Sequence, residues 1–137
     1  MRVAGALALA VLAAGCGGGD DVDARLEIVV PDNNIRAEGE ECAGATPFRA
    51  IHRGTSFTIE DGDGGQVADG ELPTGRATNA DPSIDWESER FPTVCVFQVE
   101  VGVPERERYR IVLPETPPLE FARGLLGDEP LRLVLSG

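Results

Sequence analysis

The chain has 137 residues and carries 24 Asp and Glu against 12 Lys and Arg, for a formal net charge of −12. Every basic residue is Arg, with no lysine anywhere. An acidic balance of this size disfavours nucleic acid and anionic lipid surfaces as partners, since both are held by cationic side chains meeting phosphate. The length allows one domain built on a single core.

Residues 1 to 16 run from a charged start, Arg2, through the small apolar stretch Val3–Ala14 to Gly15 and Cys16. This is the order of a secretory signal. As a helix the apolar stretch reaches only about 18 Å, short of the roughly 30 Å hydrocarbon core, so a permanent membrane span is not expected. Leu12-Ala13-Ala14-Gly15-Cys16 resembles a bacterial lipobox. Ala14, Gly15 and Cys16 match well, whereas Ala13 stands where leucine is commoner. The resemblance implies cleavage before Cys16, a diacylglycerol on its thiol and residence on the extracytoplasmic face of the cell membrane. Two or more acyl chains suffice for stable attachment, because each buried CH₂ contributes about 0.8 kcal/mol. Loss of residues 1–15 removes one Arg and no acid, which takes the net charge from −12 to −13.

Gly17 to Asp23 is small and acidic and reads as a tether, with the domain expected over 24–137. With Cys16 assigned to lipid, Cys42 and Cys95 remain as an even pair in a disulfide-permissive compartment, so they are expected to bond. Closing a loop of roughly 50 residues is worth roughly 4 kcal/mol by the chain-entropy argument. A zinc site is a poor alternative, since there is no Cys-x-x-Cys and His52 is the one imidazole. No cofactor is expected.

From Ala24 onward the apolar period is two. Leu26, Ile28 and Val30 alternate with polar residues and predict a strand ended by Pro31. Phe57 and Ile59 predict a second strand, turned at Asp61-Gly62-Asp63-Gly64-Gly65 into a hairpin partner over Gln66–Leu72. Asn79 to Arg90 is polar and acidic and predicts an exposed loop. Thr93–Val103 places Cys95, Phe97, Val99, Val101 and Val103 on one face and predicts the central strand. Tyr109, Ile111 and Leu113 predict another strand, stopped at Pro114. Glu120–Leu126 has room for a turn or two of helix, and Leu131, Leu133 and Leu135 predict a last strand. Together these predict an all-β, antiparallel two-sheet sandwich.

A wider pattern runs through Cys42-x-Gly44, Ile51, Gly54, Phe57-x-Ile59-x-Asp61, Gly65, Ala68-x-Gly70-x-Leu72 and Gly75. It continues through Cys95-x-Phe97-x-Val99, Val103-Pro104, Tyr109-x-Ile111, Phe121 and Leu125. In these positions the chain resembles small exported lipoproteins of actinobacteria, which implies an immunoglobulin-like or transthyretin-like sandwich used as an accessory or adhesion module. The chain departs from the pattern at Ala50, where an acidic residue is usual near Ile51, so no binding role of that acid carries over.

Three sites are candidates. Asp61-x-Asp63-Gly64 opens like a calcium loop, but Gly65, Val67 and Leu72 stand where further oxygen ligands belong, so a tight turn is the stronger reading. Trp86, flanked by Asp85 and Glu87 in an acidic loop, reads either as an interaction anchor for a partner or small ligand or as a plug folded over the sheet edge. Carboxylate hydrolysis is the weakest possibility. A nucleophilic triad lacks a Gly-x-Ser-x-Gly elbow, and His52 is expected to cap a turn. The function these residues support best is a non-catalytic, lipid-anchored envelope module that binds an envelope protein or a small ligand.

Overall fold

The computed structural model describes residues 21–136. Nine strands form two sheets: β1 Asp21–Ala37, β2 Glu41–Cys42, β3 Ser56–Asp61, β4 Gln66–Glu71, β5 Gly75–Asn79, β6 Arg90–Pro104, β7 Arg108–Val112, β8 Leu119–Ala122 and β9 Leu131–Val134. One sheet has the order β2-β5-β6-β1-β9 and the other β4-β3-β7-β8. Their facing sides bury the period-two positions read from the sequence. Leu26, Ile28, Val30, Cys95, Phe97 and Val99 come from one sheet, and Phe57, Ile59, Tyr109, Ile111 and Phe121 from the other. The fold is a two-sheet β-sandwich in which every strand pairing is antiparallel except that of β9 with β1.

β6 is the central strand of its sheet, as its long apolar alternation predicts, and it pairs with β1 along almost the whole length of both. β1 differs from expectation at each end. Asp21 is already paired with Pro104, so Asp21–Asp23 belong to the sheet and not to a tether. Nor does the strand stop at Pro31. The register shifts between Pro31 and Asn34, with Asn33 in the left-handed region (φ 54°), and pairing resumes from Asn34 to Ala37. A bulge of this kind absorbs the proline that would otherwise end the ladder.

The helix expected over Glu120–Leu126 is replaced by strand β8 followed by a single 3₁₀ turn, Arg123–Leu125. The reason is tertiary. Pairing with β7 turns Phe121 inward, where its ring stacks on Tyr109 at 5.3 Å between centroids. Tyr109 also fastens the β6–β7 turn, its hydroxyl donating to the Pro104 carbonyl at 2.7 Å and accepting from the Arg106 N–H at 2.8 Å. β5, which the sequence does not announce, fills the gap between β2 and β6.

Cys42 and Cys95 are joined, with Sγ atoms 2.11 Å apart and both residues buried. The bridge crosses over Gly75 of β5. A Cβ at that position would stand 2.6 Å from Cys95 Sγ and 2.7 Å from the Phe97 ring, so glycine is what lets the bridge and ring lie flat on the strand.

Candidate functional site

The antiparallel pairing of β1 with β6 gives the sandwich two distinct ends. At one, Asp21 meets Pro104; at the other, Ala37 meets Arg90. The loop between β5 and β6, which carries Trp86, lies at the second end.

This loop is shaped by its own short polar side chains, as expected where Asn, Asp and Ser compete for backbone N–H groups. Asn79 Oδ1 accepts from the Asp81 N–H at 2.9 Å, and Asp81 Oδ1 from the Ser83 N–H at 3.1 Å. Asp85 Oδ1 accepts from the Glu87 N–H at 3.0 Å, which holds Glu87 at φ 50°. Trp86 donates its Nε1–H to Asn79 Oδ1 at 3.2 Å and is half-buried. The expected trio is therefore divided in role: Asp85 is partly spent on turn geometry, Trp86 is held by its polar edge, and Glu87 is exposed.

The loop is tied to its neighbours. Arg90 pairs with Glu40 at 3.0 Å and donates to the Ile35 carbonyl at 3.0 Å, while Glu38 accepts from the Asn79 N–H at 3.2 Å. Two large apolar side chains stay open to solvent at this end, Ile35 at 60% and Ile84 at 42% exposure. Ile35 follows the bulge and stands opposite Pro92.

Beneath the bulge is a polar cluster that sequence reasoning missed. Asp32, only 4% exposed, accepts from Arg36 Nε at 2.8 Å and from the Thr93 hydroxyl at 2.6 Å. The Asp32 hydrogen bond raises the Arg36 guanidinium above its ordinary range, against the opposing effect of burial. Pro31-Asp32-Asn33-Asn34 has the composition of an exposed turn, and nothing local marks Asp32 as buried.

The Asp61 turn lies at the opposite end. Asp61 Oδ1 accepts from the N–H groups of Asp63 and Gly65, both at 3.0 Å, and Oδ2 accepts from Arg106 Nε at 3.3 Å. These bonds, the Gly65 N–H foremost, hold the Asp61 carboxyl below its usual range. Asp63 is exposed. No group of three or more His, Cys, Asp or Glu with metal-binding geometry occurs among the described residues.

Because the folded carboxyl is depressed, its stabilising contribution is present above the ordinary Asp value of about 3.9 and is lost as pH falls through the folded value. Asp61→Ala is therefore expected to lower the melting temperature at pH 7. The gap to the wild type should narrow on acidification below about pH 4, and millimolar calcium should leave both melting curves in place. Thermal unfolding across a pH series checks all three.

His52 is exposed; its ring Nδ1 lies 2.8 Å from the Arg53 carbonyl in the turn it is expected to cap, and its backbone N–H donates to Thr55 Oγ1 at 3.1 Å. Arg106 and Arg110 pair with Asp61 and Glu60. On the outer face of the five-stranded sheet an open groove of about 510 Å³ runs over Arg76, Thr78, Val96 and Gln98. Cys16 lies outside the described residues. No helix among them is long and apolar enough to cross a membrane. Comparison with protein-family models, curated proteins and solved structures finds no match.

Proposed function

We propose that this chain is a non-catalytic, lipid-anchored protein of the cell envelope that serves as a binding or accessory module, exported and fixed to the outer side of the cell membrane through Cys16. The observation that carries the reading is a spacing. Asp21 already stands in strand β1, five residues beyond the Cys16 that ends a lipobox-like stretch, and the domain is stapled between Cys42 and Cys95, a cross-link suited to an oxidising compartment. The resemblance to small actinobacterial exported lipoproteins supports the same reading and extends it to an immunoglobulin-like or transthyretin-like role. The exposed end around Trp86 is its contact surface.

Expression in a bacterium that processes lipoproteins tests this. The full chain should partition with membranes and carry diacylglycerol mass on a mature form beginning at Cys16. Cys16→Ser should abolish the lipid mass and release the protein from the membrane, with the fold retained. Recovery of unlipidated wild-type protein would overturn the anchoring.

A second reading, a small-ligand-binding lipoprotein, is favoured by the groove over β5 and β6, whose volume falls within the range of small-molecule sites. The Asp61 turn favours it less, because most of that carboxylate is committed to its own loop and Arg106.

A further inference from the structure

The strand polarity gives the anchor a directional consequence. β1 is 17 residues long, roughly 50 Å at strand rise, and it runs from the Asp21 end of the sandwich to the Ala37 end. A lipid on Cys16 stands five residues ahead of Asp21, a span of at most about 18 Å. The end bearing Asp21, Pro104 and the β6–β7 turn is thus held near the bilayer, and the end bearing Ile35, Ile84 and Trp86 is carried out of its reach.

The far end combines two features. Ile35 and Ile84 expose apolar surface that the fold does not use, and the half-buried Trp86 stands two residues from Ile84 in the same loop. The loop that carries Ile84 and Trp86 also carries four exposed carboxylates, Asp81, Asp85, Glu87 and Glu89, while Arg90, bonded to the Ile35 carbonyl, is paired with Glu40. Exposed apolar anchors beside a surplus of negative charge select a partner that supplies the opposite charge together with apolar side chains, and an indole face adds attraction for a cation.

We infer that the membrane-distal end formed by Ile35, Ile84 and Trp86 is a docking surface for a basic, apolar-bearing segment of a partner protein that stands away from the anchoring membrane. The orientation rests on lipidation of Cys16; the docking surface rests on the far end itself.

Trp86 is the one tryptophan in the chain, so its fluorescence reports this end directly. The lipidated full-length mature chain is reconstituted in phosphatidylcholine vesicles. Acrylamide in solution should quench Trp86, and brominated lipid should not. Titration with a tryptophan-free peptide of alternating lysine and leucine should shift the emission to the blue. The same peptide with glutamate for lysine should not.

Ile35→Ser and Ile84→Ser, which remove the apolar anchor without adding charge, should each weaken binding at least tenfold. Leu125→Asp, at the opposite end and 60% exposed, should stay within twofold of wild type. Melting temperatures confirm that each variant folds. Quenching by brominated lipid overturns the orientation. Equal loss in Leu125→Asp, or failure of the lysine peptide to bind, overturns the docking surface. Absence of lipid mass on Cys16 overturns the anchoring and the orientation with it, while peptide binding to the unlipidated chain still decides the surface.

Discussion

Asp32→Ala is expected to destabilise the domain by about 3 kcal/mol, the lower end of the range for breaking a buried ion pair. Its carboxylate is almost wholly enclosed and is the acceptor for both Arg36 and Thr93. Truncation leaves the Thr93 hydroxyl and one face of the guanidinium without that acceptor beneath the β1 bulge. The Arg36 side chain retains 26% exposure and recovers part of its hydration, which holds the loss below the upper bound. Asp32→Asn, which keeps an oxygen for Thr93, should cost less. Joint replacement by Asp32→Leu and Arg36→Met should recover much of the loss, because removing both charges is gentler than stranding one. Urea unfolding midpoints at unchanged slope measure each step.

Removal of the Cys42–Cys95 bridge should cost about 4 kcal/mol, since it frees a long loop in the unfolded chain. For a domain whose total stability is expected within about 5–15 kcal/mol, that is a large fraction. The Cys42→Ser, Cys95→Ser double variant should melt well below the wild type. The wild type in excess reductant should melt close to that variant, and added reductant should not move the variant further. A wild-type curve unaffected by reductant under unfolding conditions would contradict the bridge. Gly75 gives a second view of the same place: its bare backbone is needed only while Cys95 and Phe97 lie across it, so Gly75→Ala should be better tolerated without the bridge.

Where one sheet face is buried, the sandwich was legible as alternation. Leu26, Ile28 and Val30, Phe57 and Ile59, and Cys95 to Val103 all face the core as their spacing predicts. β5 was not, because Gly75-Arg76-Ala77-Thr78-Asn79 offers only Ala77 as an apolar side chain and owes its strand form to β6 beside it. β8 was obscured because Phe121, Leu125 and Leu126 also fit a helical spacing, and only pairing with β7 selects the extended form. Asp32 was hidden for a similar reason: its partner Thr93 is 61 residues away, and burial set by a distant strand leaves no local mark. At the candidate site, Trp86 and its acidic neighbours were visible as composition. Ile35 joined them only because β1 continues beyond Pro31.

The position of β1 bears on how the molecule comes to exist. Among the described residues it is the earliest strand, yet its two neighbours are β6 and β9, the latter the last of them. Until Arg90–Pro104 is present the longest strand has both edges bare, and until Leu131–Val134 arrives one edge stays open to any passing chain. Assembly therefore waits for β6 and β9 and rests on distant pairings, which places folding on the slow, millisecond-to-second side. A shortened chain lacking β9 would keep most of its core and bare the Leu26–Val29 edge of β1 that β9 covers, so this short strand shields an apolar edge more than it fills the interior.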